Sequence, residues 1–273
     1  MKSVTLFLIL SLLAANQLYA QKIRIKGSDT VFPLTQMLAG EFMKRNIDAS
    51  ILISGGGSGA GISALLSGST DITQSARELS ADEKLKLKNE GIPVTETIIA
   101  FDAVAVIVNP ENRVTQLTIQ QLEAIFTGTV TNWKEVGGID MAIVVYSRET
   151  TSGTYDFFKD HELNGKNFTA SAILMPATGA IAQSVSQVKG GIGYVGLAYL
   201  DRTLKPVEIS ADKGKTYIAP TVETVKDKSY PIARPLYYIF PDNLKDAISP
   251  FIGFVLSNAG QQIVLKAGYV PVR

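Results

Sequence analysis

Two kinds of apolar segment alternate along this chain, and their alternation constrains its fold more than any other sequence feature. Residues 97–108 form a long apolar run rich in β-branched residues, which predicts a buried strand. Other segments repeat apolar residues at helical spacing, as Leu34, Leu38 and Phe42 do. Strands that alternate with helices in this way predict an α/β fold built mainly on parallel sheets.

The same pattern can be followed along the rest of the sequence. The predicted strands cover residues 23–26, 49–54, 71–75 (a strand or a loop), 97–108, 141–146, 193–195 and 236–240. The predicted helices include residues 34–42, 62–66, 81–89, 118–126 with a capping box at Thr118 and Gln121, 180–188 and 245–256. One more helix starts at Ser152 or Thr154, the helix at 245–256 is the last long one, and the charged stretch 195–230 predicts solvated loops.

No long linker rich in Pro, Gly or Ser divides the sequence into halves. Two lobes joined by more than one crossing strand would explain that absence. Residues 97–108 are the candidate for the first crossing, and residues 234–240 are the candidate for another.

The N-terminus has the pattern of a secretion signal. Lys2 supplies positive charge, residues 4–15 are an apolar run too short to span a bilayer comfortably, and Ala20 suits cleavage before Gln21. We expect residues 1–20 to be removed and the mature chain to be soluble outside the cytoplasm. A retained N-terminal anchor is the alternative, whereas the absence of cysteine excludes a lipid anchor on that residue.

Composition narrows the possible chemistry. The chain has no cysteine, one histidine and a net charge of +1. Thiolate nucleophiles, disulfides and cysteine-bound metals are therefore excluded, and the charge is too low for a typical nucleic-acid binder. His161 lies in a polar stretch where we expect an exposed helix end. We expect no catalytic residue, no cofactor and no metal site.

Three loops rich in glycine and hydroxyl residues share one design, at residues 27–30, 57–61 and 148–154. Each follows a predicted strand and opens a predicted helix, whose first N–H groups are unpaired and carry partial positive charge. Glycine allows close backbone approach and hydroxyls add donors, so the three loops together predict an oxyanion cradle. Arg148 could add a charged fork to the anion, or instead form a structural salt bridge.

The glycine cluster also has a nucleotide-binding interpretation. Residues 55–60 formally fit the pattern G-x-G-x-x-A, and Glu78 lies near the distance expected of a ribose-binding acid. The cluster lacks the Gly-Lys-Ser/Thr end of a P-loop, and such matches arise easily. The sequence therefore favours the oxyanion interpretation over a dinucleotide fold.

Across residues 23–270 the sequence resembles the phosphate-binding proteins of phosphate ABC transporters (PstS), especially their shorter members. The segments that carry the resemblance are GSDTVFPL at 27–34, GGSGAGI at 56–62, SAREL at 75–79, FTG at 126–128, NW at 132–133, RETTSGT at 148–154 and GIGYV at 191–195. The resemblance implies a type II periplasmic-binding-protein fold with an anion between two α/β lobes. We expect residues 21–102 plus 235–273 in one lobe and residues 103–234 in the other.

The family's anion ligands carry over to matching positions of this sequence. They fall on Ser28, Thr30, Val31, Ser58, Arg148, Ser152, Gly153 and Thr154. Trp133 belongs to a family motif but is expected to serve packing, because tryptophan is largely buried in proteins.

The sequence departs from the family at one position that bears on selectivity. The best-known long members have an aspartate where this chain has Ala76. A carboxylate there can accept the proton that phosphate carries and sulfate lacks. Ser75 and Arg77 are candidates to contact the anion instead, and Asp29 and Glu149 are candidates for the proton acceptor.

These features together predict a monomeric periplasmic receptor that hands phosphate to the permease subunits of an ABC importer in the inner membrane. Three alternatives stay open at this point. One is a binder of molybdate, tungstate or sulfate on the same fold, and another is a phosphatase-like enzyme, for which the usual nucleophile and base are missing. The third is a signalling protein that reports the anion level to a partner.

Overall fold

The computed structural model of the chain describes residues 22–272. The predicted secretion signal at residues 1–20 lies outside the described residues. The described strands are β1 (Lys22–Gly27), β2 (Ser50–Ser54), β3 (Ile72–Ser75), β4 (Val94–Val108), β5 (Gln116–Thr118), β6 (Val144–Arg148), β7 (Ile173–Met175), β8 (Gly191–Gly196), β9 (Lys205–Pro206), β10 (Glu208–Ser210) and β11 (Ala233–Pro241). The described helices are α1 (Phe32–Arg45), α2 (Ser58–Leu66), α3 (Ala81–Asn89), α4 (Ile119–Thr127), α5 (Gly153–Glu162), α6 (Thr178–Gln187), α7 (Val222–Lys226), α8 (Lys245–Leu256) and α9 (Asn258–Lys266).

Within residues 22–272, nine strands form one mixed sheet in the order β2-β1-β3-β11-β4-β8-β6-β7, with β9 beside β4. β1 is parallel to β2 and β3, and β6 is parallel to β7 and β8. β11 is antiparallel to β3 and β4, and β4 is antiparallel to β8. The α/β prediction is confirmed, and the antiparallel strands lie in the middle of the sheet.

The two strands at the centre of the sheet connect its halves. The first part of β4 pairs with β11, from Val94 opposite Pro241 to Ala103 opposite Ala233. The last part of β4 pairs with β8, from Val104 opposite Gly196 onward. β4 therefore passes from one half of the sheet into the other, as expected of a crossing strand.

The two largest hydrophobic cores among residues 22–272 lie on the two halves of the sheet. The N-terminal core joins β1 and α1 to α8 and α9, with Ile25, Phe42, Phe251 and Val264 buried together. The central core is built by β4, β8, α4 and α5, and its buried residues include Phe126, Trp133, Phe158 and Tyr194. Each core needs apolar faces from a sheet and from helices. The alternating strand and helix patterns of the sequence therefore predicted the α/β architecture correctly.

The structure departs from the predicted elements most clearly after residue 195. Residues 195–230 are not solvated loops, because they contain β9, β10 and α7, and Val207, Ile209 and Tyr230 are buried in the central core. A second helix, α9, follows the one predicted at 245–256, with Ser257 as its N-cap. The glycine at position 260 in its first turn weakens the helical pattern in the sequence.

No single helix among residues 22–272 has the length and apolar composition needed to cross a bilayer, although the pair Asp242–Leu256 and Asn258–Lys266, bent by 61°, has them jointly. Phe251, Val255 and Val264 of this pair lie in the N-terminal core.

Candidate anion site

The three loops predicted from the sequence meet in the structure. Two of them follow β1 and β2, which are parallel neighbours, so their carboxyl ends lie side by side. The third follows β6, on the other half of the sheet, and reaches the first two across the molecule. Gly59 N donates a hydrogen bond to Thr151 O at 3.0 Å, which fixes the contact between the two sides.

Backbone donors line the place where the loops meet. The N–H groups of Val31, Ser58 and Gly153 have no hydrogen-bond partner among the described residues. Val31 precedes α1, and Ser58 and Gly153 are the first residues of α2 and α5. Such N–H groups at helix starts are free to bind an anion and carry the partial positive charge of the helix dipole.

Hydroxyl groups add further donors. Ser58 Oγ accepts a hydrogen bond from Ala76 N at 3.1 Å, and Ser152 Oγ accepts from Thr154 N at 3.2 Å. Because each oxygen accepts from the backbone, its own hydrogen stays available for a ligand. Thr30 Oγ1 lies 3.0 Å from Thr154 Oγ1, which brings hydroxyls of the two sides together. Ser28 is also buried here.

Arg148 is held in place by the protein. Its Nε donates to Met175 O, its Nη1 to Thr178 Oγ1, and its Nη2 to Pro176 O and to Asp29 Oδ2 at 2.6 Å. The guanidinium has five donors, so these four bonds leave one hydrogen on Nη1. The side chain is 2% exposed, which makes it a buried cation at the meeting point of the loops.

Of the two candidate proton acceptors, the structure brings Asp29 to the site. Asp29 Oδ2 pairs with Arg148, and Oδ1 accepts from Gly56 N at 3.2 Å. Its side chain is 18% exposed, and its carbonyl oxygen accepts from Tyr199 Oη at 2.7 Å. Burial, together with the Asp29 charge, raises the pKa of Tyr199 to about 12, so this phenol keeps its proton. Glu149 is exposed, with no side-chain bond to another described residue.

Ser75 and Arg77 have other partners in the structure. Ser75 Oγ donates to Arg77 O at 2.6 Å. The Arg77 guanidinium binds both oxygens of Glu83 and also Asp156 Oδ2, at 2.7 Å from Nε. Burial lowers the pKa of Arg77, but its bonds to Glu83 and Asp156 outweigh that effect and raise it. Arg77 thus links the loop after β3 to α5.

Two charged residues beside the site were not among the predicted ligands. Arg234 Nη2 donates to Thr154 Oγ1 at 3.0 Å and to Asp102 Oδ2 at 3.2 Å. Burial raises the pKa of Asp102 and lowers that of Arg234, and each is opposed by the charge of the other. The signal for them in the sequence was the presence of charged residues in two apolar strands.

Two further predictions about single residues are confirmed. Trp133 is completely buried in the central core, and its Nε1 donates to Gly190 O at 3.0 Å, so it serves packing. His161 is exposed in the last turn of α5, and its ring is tilted by 32° against that of Phe157. Among residues 22–272 no cluster of acidic or histidine side chains could hold a metal ion.

Several known proteins share sequence and fold with this chain. The model of the PBP superfamily domain matches residues 14–259. The phosphate-binding protein PstS of Staphylococcus haemolyticus is 37% identical over an alignment that covers 90% of this chain and 79% of that protein. A substrate-binding protein from Clostridium perfringens, crystallised with bound phosphate, is 35% identical with a TM-score of 0.84, covering 92% of this chain and 100% of that one. An ABC-type phosphate transport receptor from Vibrio cholerae is 28% identical with a TM-score of 0.74, covering 91% of this chain and 99% of that one.

Proposed function

We propose a function from the premise that this chain belongs to the PstS family of phosphate-binding proteins, within the PBP superfamily. It captures inorganic phosphate between two lobes and delivers it to an ABC importer. The observation that carries the proposal is the convergence of three helix starts with a buried arginine that keeps one donor free. Such a set of preorganised donors fits a small oxyanion.

Each predicted ligand has a proposed role at this site. The N–H groups of Val31, Ser58 and Gly153 bind anion oxygens, and Arg148 contributes its remaining Nη1 hydrogen and its charge. The hydroxyls that complete the shell are those of Ser28, Ser58 and Ser152 and one of the hydrogen-bonded pair Thr30 and Thr154. Ser75 and Arg77 stay outside the shell in this proposal, because their own partners already engage them.

Asp29 is the proposed acceptor of the phosphate proton. Phosphate near neutral pH carries at least one proton, and sulfate carries none. An ionised carboxylate at the site accepts from the first and repels the second. Asp29 fits this role better than Glu149 because it is bonded to Arg148 in the site, whereas Glu149 is exposed. Asp29 would thereby replace the aspartate that this chain lacks at Ala76.

The mechanism is binding and release, and no bond is made or broken. We assign residues 21–102 plus 235–273 to one lobe and residues 103–234 to the other. Phosphate favours the closed arrangement because both lobes supply its ligands. The closed receptor then docks on permease subunits in the inner membrane. We further propose a monomer that works in the periplasm after removal of residues 1–20, without enzymatic activity.

Isothermal titration of the phosphate-stripped mature protein tests this proposal. We expect one phosphate per chain, little competition from sulfate or molybdate, and a loss of at least about tenfold in affinity in Arg148→Ala, because a buried charge-assisted bond disappears. Arg113→Ala, at an exposed arginine, is the matched control and should bind as the parent does. A preference for sulfate or molybdate would keep the fold and replace the ligand, and no binding of any oxyanion would refute the proposal.

The same titration tests the role of Asp29. Asp29→Asn keeps the size of the side chain and removes its ionised acceptor. We expect the preference for phosphate over sulfate to shrink, because the amide no longer repels a fully deprotonated anion. Glu149→Asn is the control and should leave the preference unchanged. Unchanged selectivity in Asp29→Asn would assign the proton to another acceptor.

A further inference from the structure

A buried ion pair lies on the two central strands, next to the anion site. Asp102 is on β4 and Arg234 is on β11, and their side chains are 0% and 1% exposed. Taking both charges out of water is costly, and a single contact recovers little of that cost. The pair has one such contact, at 3.2 Å, instead of the two parallel bonds that an arginine and a carboxylate commonly make. Its geometry is therefore not that of a pair built for stability alone.

Only one of the three nitrogens of the Arg234 guanidinium has a hydrogen-bond partner among the described residues. Nε and Nη1 are buried and have no partner among the described residues. Nη2 is shared between Asp102 and Thr154 Oγ1. The guanidinium thus has two nitrogens without a hydrogen-bond partner, although it pairs with Asp102 and lies 5.3 Å from the centre of the Phe157 ring. Its shortest hydrogen bond goes to a proposed ligand of the anion.

We propose that Arg234 is a positioning residue that acts on the bound anion through the hydroxyls of Thr154 and Thr30. Arginine can only donate, so Arg234 fills an acceptor lone pair of Thr154 Oγ1. One hydrogen then joins Thr154 to Thr30, 3.0 Å away, and the other hydroxyl hydrogen of the two is left to donate. This inference rests on the function proposed above, since it names what presents that hydrogen to the anion.

The arrangement has a consequence for the orientation of the ligand. At Thr30 and Thr154 the site offers a hydroxyl hydrogen, and the charge of Arg234 strengthens the hydrogen bond that it donates. We therefore expect an unprotonated oxygen of the anion at this place. Asp29, which is paired with Arg148, is the proposed acceptor of the proton of the anion. Arg234 thereby contributes to how a protonated oxyanion is oriented without touching it.

A double-mutant cycle tests the proposal. Asp102→Asn with Arg234→Met removes both charges together and leaves no buried charge unpaired. Titration with inorganic phosphate should show an affinity loss of about tenfold or more, the scale of one bond to a charged partner. Thr154→Val should lose a similar factor, and adding it to the charge-free pair should cost little more, because all three changes break one chain of bonds.

Arg24→Met with Asp71→Asn is the control, since it removes an ion pair at the other end of β1 and should leave the affinity unchanged. If the charge-free variant does not fold, Arg234→Lys replaces it in the same cycle, because one ammonium group cannot reproduce the guanidinium fork. Unchanged phosphate affinity, or losses that multiply independently of Thr154, would overturn the role of Arg234. If the parent binds only another oxyanion, the cycle is run with that anion, and a parent that binds none refutes both proposals.

Discussion

Arg148 is ordered by the protein before an anion arrives, because its bonds to Asp29, Thr178 and two carbonyl groups already fix its position. A side chain that is ordered in advance loses little conformational freedom on binding, so more of the interaction energy appears as affinity. Asp29 shares this advantage, since Gly56 N holds its second oxygen. At the scale of residues, the proposed ligands hold one another in place through hydrogen bonds.

Glu162 is a buried acid away from these restraints, and it makes stability depend on pH. It is 5% exposed at the end of α5, and burial raises its pKa to about 7. A carboxyl whose pKa is higher in the folded than in the unfolded chain favours folding while it is protonated. The contribution of Glu162 to the free energy of unfolding is therefore fully present below its unfolded pKa of 4.5. It is lost as the pH rises through its folded pKa of about 7.

We expect Glu162→Gln to unfold at a higher temperature than the parent at pH 8 and at nearly the same temperature at pH 4. The gain above pH 7 should be about 3–4 kcal/mol, from roughly 1.4 kcal/mol for each pKa unit. Thermal unfolding followed by circular dichroism at both pH values measures it. Glu149→Gln is the control, because Glu149 is exposed. Equal differences at both pH values would show that Glu162 does not titrate as inferred.

Sequence reasoning predicted single residues well where a local pattern identified them. Thr118 and Gln121 form the expected capping box, and Trp133 packs as expected. The pair of Asp102 and Arg234 escaped prediction because its members are 132 residues apart and meet only when two strands are aligned. The roles of the ligand residues stay predictions.

At the scale of elements, the decisive feature is that α1, α2 and α5 start at one place. The predicted strand at 141–146 lies at Val144–Arg148 in the structure, which puts Arg148 at the strand end instead of in a loop. The small parallel pair of β5 and β10 was not predicted, because strands of three residues leave almost no periodicity in a sequence.

A substitution at Gly57 tests how closely the loops before α2 and α5 must approach each other. Its φ is +92°, and a Cβ built there would overlap the carbonyl group of Thr151 in the opposite loop. We expect Gly57→Ala to bind phosphate at least about tenfold more weakly, because backbone strain of about 1–3 kcal/mol and the overlap both oppose closure. Titration calorimetry measures the loss.

Gly91→Ala is the matched control for this change. Gly91 has a φ of +68° with nothing within 4 Å of an added Cβ. An alanine at this position is therefore strained but makes no contact across the site. We expect lower stability in this control and unchanged affinity. Equal affinity losses in both variants would mean that strain alone, and not the approach of the loops, determines binding.

At the scale of the whole molecule, the central strands make the two cores interdependent. β4 contributes Ala100 to the N-terminal core and Val104 to the central core, with three residues between them. Neither core can lose this strand without exposing apolar surface of the other. Because the cores share this strand, we expect both to unfold in a single cooperative transition.

Phosphate should raise the midpoint of that single transition. A ligand at about 1,000 times its dissociation constant adds about 4 kcal/mol to the stability of the folded state, which corresponds to roughly 8–16 °C for a chain of this size. Differential scanning calorimetry with and without phosphate measures the shift, and Arg148→Ala should reduce it. Two separate transitions, of which phosphate shifts only one, would contradict the interdependence of the cores.

The composition of the N-terminal core determines when this half of the chain can fold during synthesis. Ile25 and Phe42 are synthesised well before Phe251 and Val264, against which this core closes. The helices that cover the first strands are made only after the residues of the central core. That half of the protein therefore cannot close while the central core is being made, and its early strands stay open to chaperones or to a translocation channel during that time.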